Sequence, residues 1–213
     1  MNQVVFLEPN RLDAVPFTTS DVIAECAAVQ HHTITRLIRK HMKDFEDFGL
    51  VGFEIHAVTK KRGVKYEKLY HLNEQQATLL ITYLQNTPPV VAFKKELVRQ
   101  FYAMRAELQK RQIEREALKP VRRSLTDAIQ AAGGDPWAYK LFTDLAYKSV
   151  TGQNAAQLRK TRGADKNAVA VDYMTADEIQ QVTKRQEQFA VLLEMGMEYQ
   201  QIKAIVKRRV SLH

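Results

Sequence analysis

Apolar residues recur every three or four positions after residue 30. Ile34, Leu37, Ile38, Met42, Phe45 and Phe48 make one stripe, the pattern of an amphipathic helix. The spacing predicts a helix over 31–48, stopped by Gly49. A shorter helix is predicted over 20–27. Thr18, Thr19 or Ser20 can cap it, and Asp21 suits its positive end. Ala28, Val29 and Gln30 break the chain between the two. Past Gly49 the period changes to two. Phe53, Ile55 and Ala57 alternate with Glu54 and His56, and Val64, Tyr66, Tyr70 and Leu72 alternate with Lys65, Glu67 and His71. Half-buried strands have this period. Lys60, Lys61 and Arg62 lie at the tip of the hairpin, where Gly63 supports the turn. Helix, short turn, helix and basic-tipped hairpin is the order of a winged helix-turn-helix.

The flanking segments read more simply. Val4 to Leu7 predicts a short strand that pairs with the hairpin or with 14–17. After the hairpin Asn73 caps a helix with Ala77, Leu80, Ile81 and Leu84 inward. Pro88 and Pro89 open a longer helix whose stripe is Phe93, Leu97, Phe101, Met104 and Leu108. Core packing and self-association both fit that stripe. Beyond Leu108 charges surround the helix, as in a solvent-crossing connector held by pairs such as Glu107 with Arg111. Pro120 is expected to end it, and Arg122 and Arg123 follow.

The remainder predicts helices throughout. Ser124 begins one that stops at Gly133 and Gly134. Asp135 and Pro136 open the next, with Trp137, Leu141, Phe142, Leu145 and Ala146 packed and Gly152 closing it. Asn154 starts a short helix. Thr175 and Glu178 form a capping box for a helix reaching Gly196. A last helix follows, with Tyr199, Ile202, Ile205 and Val206 inward. The expected fold is therefore α+β: a winged helix-turn-helix over 1–104, a basic helical connector over 105–123, and an all-α domain over 124–213.

Charge sharpens this picture. The 213 residues carry a net +8 and a pI near 9.5, a balance that favours polyanionic partners. The face of the 31–48 helix away from its apolar stripe shows His32, Thr35, Arg36, Arg39 and Lys43. In a major groove Arg can pair with guanine and Thr can touch a thymine methyl. A solvated surface helix accounts for the same residues. Helix and hairpin tip together point to duplex DNA, with His32, Thr33, Thr35, Arg36, Arg39, Lys40, Lys43, Lys60, Lys61, Arg62 and Lys65 as the contacting set. Arg36 and Arg39 are expected to read bases, and the tip cations to hold phosphate, which dominates affinity but carries no sequence information. Arg159, Lys160, Arg162 and Lys166 form a second basic cluster that reads as a solvated loop.

Other chemistry is not indicated. One cysteine, Cys26, leaves no internal disulfide and reads as a small buried hydrophobe. Six histidines and that cysteine show no zinc-ligand spacing. Gly133-Gly134-Asp135-Pro136 lacks the Gly-Lys-Ser/Thr of a phosphate loop. No catalytic residues, cofactor or metal are expected, and the reading is of a non-enzyme. No apolar run suits a bilayer and no signal peptide is visible. The expected place is the cytoplasm.

The residues Thr19-Ser20-Asp21-Val22-Ile23-Ala24 and His31-His32-Thr33-Ile34-Thr35-Arg36-Leu37-Ile38 resemble the opening of the phage regulatory protein Rha family. That family shows Ser-x-x-Ile-Ala, then His with an aliphatic residue three later and Ile seven later. The segment from Ala92 to Met104 resembles the family's ending, an Ala-x-Phe-Lys block followed by Phe and Met. The resemblance spans about 18–104. Thr33, where relatives often carry Asn, and the long basic wing depart from it. It implies a phage or prophage regulator that binds DNA to control gene expression, in the cytoplasm of a bacterial host cell. Further on, Tyr147-Lys148-x-x-Thr151-Gly152-x-Asn154-Ala155, with Met174-Thr175-x-x-Glu178-Ile179, is loosely similar to C-terminal modules of phage antirepressor-type proteins. The alternative function is an antirepressor that binds a repressor protein. The expected partners are double-stranded DNA, a second copy in a homodimer or higher oligomer, and a repressor or other regulatory protein.

Overall fold

The computed structural model describes residues 3–7, 10–60 and 63–210, with 59, 60, 63, 65 and 207–210 described by backbone alone. The chain divides into two compact units. Met1–Glu8 with Ala14–Ala106 form the first, and Pro9–Asp13 with Glu107–His213 the second.

The first unit is α+β. Strand β1 (Phe17–Thr19) leads into α1 (Ser20–Cys26), α2 (His31–Lys40) and α3 (Met42–Glu46). Strands β2 (Gly52–Lys60) and β3 (Gly63–Asn73) follow, then α4 (Glu74–Thr82) and the first part of α5 (Pro88–Ala131). The sheet is antiparallel with order β1-β3-β2. Strand β1 covers only the base of β3, pairing Phe17 with Asn73 and Thr19 with His71. Strand β2 pairs along β3 from Gly52 with His71 to Lys60 with Gly63. The core gathers Ile23, Ile34, Ile38, Phe45, Leu72, Leu80, Leu97 and Phe101, each essentially fully buried. So the Phe93, Leu97, Phe101 stripe of α5 is core, and Met104 packs against it.

The turn between α1 and α2 reverses the chain through Ala28, whose φ is +54°. This left-handed conformation crowds a Cβ and is usually met by glycine. Ala28 and Val29 donate backbone hydrogen bonds to Glu25 and Ala24, so the end of α1 is capped by its own turn.

Three local expectations change. The helix predicted over 31–48 breaks at His41 (φ −112°, ψ 26°) into α2 and α3. The His41 ring stacks on Tyr83 at 4.3 Å, and its Nδ1 lies 3.2 Å from the Asp44 carboxylate. The break turns Phe45 into the core while Phe48, expected in the stripe, is exposed. Val4 to Leu7 form no strand; Phe6 makes a single bridge to Phe17. Val4 and Val5 are nevertheless buried, and both donate N–H to Gln100 Oε1. Phe53, Ile55 and Ala57 are exposed instead of half-buried, because the hairpin projects past the elements that could cover it.

The second unit is helical among its described residues: the later part of α5, then α6 (Pro136–Thr151), α7 (Ala155–Thr161), a 3₁₀ turn (Ala170–Tyr173), α8 (Ala176–Glu194) and α9 (Tyr199–Val210). Asp135, Asn154 and Thr175 cap α6, α7 and α8, the last two in full capping boxes. Helix α5 does not end at Pro120 but runs on to Ala131, so Ser124 lies inside it. An internal proline costs about 3 kcal/mol. Burying Leu118, Leu125 and Ile129 on one side of this stretch returns about 1.5–3 kcal/mol each, which outweighs the loss. Within the stretch read as a connector, Leu118 joins the core of this unit and Arg111 is buried. Trp137, expected to pack, is exposed under Lys140 Nζ at 4.5 Å.

Candidate nucleic-acid interface

Burial divides α2 cleanly. Ile34 and Ile38 face the core, while His32, Arg36, Arg39 and Lys40 are exposed, as is Lys43 on α3. Among the described residues no carboxylate comes within ion-pair range of Arg36, Arg39, Lys40 or Lys43. The nearest acid in sequence, Asp44, is engaged by His41 and accepts from Tyr83 Oη at 3.2 Å. Arg39 Nε donates to the Thr35 carbonyl at 3.1 Å, which holds the guanidinium along the helix.

Thr35 is a correction. Its side chain is buried, and its hydroxyl donates to the His32 carbonyl at 3.2 Å. It is not on the exposed face with Arg36 and Arg39, and its hydroxyl is committed to the backbone of its own helix. Thr33 is half-buried. Lys61 and Arg62 lie outside the described residues, and Lys60 and Lys65 are placed by backbone on β2 and β3.

A groove of about 500 Å³ runs between α2 and β3, lined by Gln30, His31, His32, Thr35, Arg39, Tyr66, Glu67, Lys68 and Tyr70. One network sets its inner end. Ser20 Oγ accepts from the Tyr70 N–H at 3.0 Å and lies 2.9 Å from His31 Nε2. His31 Nδ1 is 3.7 Å from the Glu67 carboxylate. Ser20, His31 and Glu67 have the order of a hydrolase triad, but Ser20 is fully buried and no substrate atom can reach it. The network docks the start of α2 onto β3. Sequence spacing alone makes Ser20 a possible helix cap. The cap position is Thr19, without a side-chain cap bond, and the Ser20 hydroxyl serves the strand instead.

The two faces of the hairpin differ. On one, His56 Nε2 lies 2.9 Å from Glu54, and His71 Nε2 3.5 Å from it. The hydrogen bond from His56, then the charge of His71, hold the Glu54 carboxyl below its ordinary range. The other face carries Phe53, Ile55, Val64, Tyr66, Lys68 and Tyr70 by strand register. Tyr70 is buried at the base, while Phe53, Ile55, Val64 and Tyr66 are exposed. Lys68 Nζ stands 3.8 Å over the Phe53 ring.

The two arginines of the second basic cluster stitch the unit internally, while Lys160 and Lys166 are exposed. Arg162 donates to Glu178 at 2.6 Å and to the Tyr173 carbonyl at 3.2 Å, and Arg159 donates to the Ala168 carbonyl. Among the described residues no His, Cys, Asp and Glu group could hold a metal. Burial, then the charge of Glu25, push the Cys26 thiol up, away from the thiolate form a nucleophile needs. No helix among the described residues is long and apolar enough to cross a membrane.

The first unit is thus a small α+β body that pairs a cationic helix with a projecting hairpin. Residues 18–106 match the phage regulatory protein Rha family. The matched stretch ends where the first unit ends, and the later part of the chain lies outside it. Ser20 and His31, two of the residues on which the resemblance rests, prove to be partners across the α1–α2 turn. No curated protein matches the chain.

Proposed function

We propose that β1, α1, α2 and the β2–β3 hairpin form a winged helix-turn-helix that binds duplex DNA, and that the protein is a non-enzymatic regulator of phage or prophage gene expression. The observation that carries this reading is the row of cations on α2 and α3, with no carboxylate in ion-pair range among the described residues, beside a groove open to solvent. Arg36 and Arg39 would read base edges, with His32 beside them. Lys40, Lys43 and the hairpin cations Lys60, Lys61, Arg62 and Lys65 would hold phosphate. The second unit would supply assembly, as a homodimer or higher oligomer that doubles the recognised site, or a second protein partner. Such a regulator would act in the host cytoplasm.

The test is titration of the full chain with random-pool and selected duplexes at two salt concentrations. Binding should fall steeply with salt, because cations on the protein displace counterions from phosphate. Light scattering on the same sample reads the assembly, and a monomer removes the two-fold site. The uncovered apolar face of the hairpin favours a second reading, an antirepressor that grips a repressor protein. That reading gains if duplex binding is absent or insensitive to salt.

A further inference from the structure

The hairpin leaves apolar surface where a soluble β-ribbon usually shows polar groups. Phe53, Ile55, Val64 and Tyr66 are 48%, 61%, 58% and 71% exposed. Register puts all four on one face: Phe53 opposite Tyr70, Ile55 opposite Lys68, Ala57 opposite Tyr66 and Thr59 opposite Val64. This face continues the core outward, since Tyr70 and Leu72 at its base are buried. It opens beside α2, because Tyr66, Lys68 and Tyr70 line the groove with His32 and Arg39. Contiguous exposed apolar side chains mark an interaction site.

Charge identifies the occupant. The stretch from Lys60 to Lys68 holds Lys60, Lys61, Arg62, Lys65 and Lys68 against one acid, Glu67. Lys68 lies on the apolar face itself, and Arg39 lines the groove beside it, so a second copy packed face to face would bring like charges together. A polyanion satisfies them, and apolar side chains flanked by cations are how proteins wedge a minor groove, prising a base step apart and kinking the duplex. A minor groove about 6 Å wide is too narrow for the whole ribbon, so apolar side chains projecting from its face enter first and widen the groove as the step opens.

Resting on the duplex-DNA reading above, we propose that the distal hairpin is an apolar wedge that bends the DNA. Ile55, Val64 and Tyr66 enter the minor groove and unstack a step. Helix α2 occupies the adjoining major groove. The phosphate strand between the two grooves lies in the channel lined by Arg39 and Lys68. Flexible pyrimidine–purine steps would be favoured under the wedge, because they cost least to open.

The experiment uses the full chain and a duplex selected by it from a random pool, with fluorophores at both ends and 2-aminopurine at successive steps. The wild-type protein should bring the duplex ends closer and raise 2-aminopurine emission at one step. A variant carrying Ile55→Thr, Val64→Thr and Tyr66→Thr places strand-favouring β-branched residues at all three exposed positions. Its circular dichroism and melting curve verify its fold. It should still bind, more weakly, and lose both the end-to-end change and the emission rise. Tyr66→Leu, which keeps an apolar wedge, should retain the bend. A straight duplex with wild type, or an equal bend with the triple variant, overturns the proposal. So does a wild-type oligomer that the triple variant dissolves, since a second copy would then be the occupant, and so does tighter binding to the single strand than to the duplex. Absence of any duplex binding by wild type would instead refute the DNA reading on which the wedge rests.

Discussion

Arg111, Arg115 and Arg162 of the second unit each hold a carboxylate: Glu107 at 3.1 Å, Asp172 at 2.7 Å and Glu178 at 2.6 Å. Arg111 also donates to Asn10 at 2.7 Å, and Arg162 to the Tyr173 carbonyl. On α2 and α3 of the first unit, Arg36, Lys40 and Lys43 are exposed, with no ion pair among the described residues. Spacing in the sequence offers the Glu107–Arg111 pair, which the structure forms, but it shows Arg162 and the α2 cations alike, as clusters of positive side chains. The structure separates cations that staple helices from cations open to a partner. Charge counted by segment therefore says little about binding until each cation's partner is known.

The largest expected effect sets the two kinds of arginine against each other. Arg162→Ala removes a half-buried, charge-assisted pair and leaves Glu178 unmatched. It should lower stability by about 2–3 kcal/mol, read from urea unfolding. Arg36→Ala should change stability by no more than about 0.5 kcal/mol and weaken binding to the selected duplex by about 1–3 kcal/mol. If Arg36→Ala also weakens random DNA to the same degree, it holds phosphate instead of reading a base. If Arg162→Ala is neutral in urea, the distinction between the units fails.

A salt series sharpens the same comparison. Lys40→Gln with Lys43→Gln should reduce the slope of log affinity against log salt by about 1 for each phosphate no longer neutralised. Lys160→Gln with Lys184→Gln, both in the second unit, should leave the slope unchanged. An equal drop from both pairs would place DNA on both units.

Backbone strain in the first unit gives a smaller effect. Ala28 is exposed and holds φ +54°. Ala28→Gly removes the Cβ penalty and should stabilise by about 1 kcal/mol, seen as a higher urea midpoint with DNA affinity unchanged. A loss of stability would show that the turn is not strained.

The smallest effect belongs to the exposed pair of Lys110 and Asp177, 2.7 Å apart. The hydrogen bond and charge of Lys110 hold the Asp177 carboxyl below its ordinary value. A depressed carboxyl contributes stability above its unfolded pKa and loses it as pH falls through the folded one. Lys110→Met should therefore melt slightly below wild type at neutral pH, and the gap should close in acid. Exposure keeps the gap small, and a gap that widened in acid would contradict the pairing.

Much of this molecule is legible without coordinates. The stop of α1, the α2 stripe through Ile38 and the hairpin register depend on neighbours within a few residues. So do the caps at Asn73, Asp135, Asn154 and Thr175. Local chemistry satisfies their backbone groups, and the chain carries that information in its spacing. The resemblance over 18–104 is legible for the same reason, since its residues sit on α1, α2 and α5 at fixed intervals.

What sequence could not supply depends on residues far apart in the chain. His41 breaks a helix because Tyr83 offers a ring to stack on. Thr35 reads as a groove residue, because periodicity places a residue on a helix face but does not say where the protein ends. Pro120 does not stop α5 because distant helices bury Leu118 and Ile129. Arg162 and Arg36 are the same residue type, and only the arrival of Glu178 beside one of them sets their roles apart. Local spacing determined the helix caps, the hairpin and most of the helices, but not the break at His41 or the run of α5 through Pro120. Tertiary packing decided which faces are covered and which charges are matched, because burial and ion pairing are properties of the partner as much as of the residue.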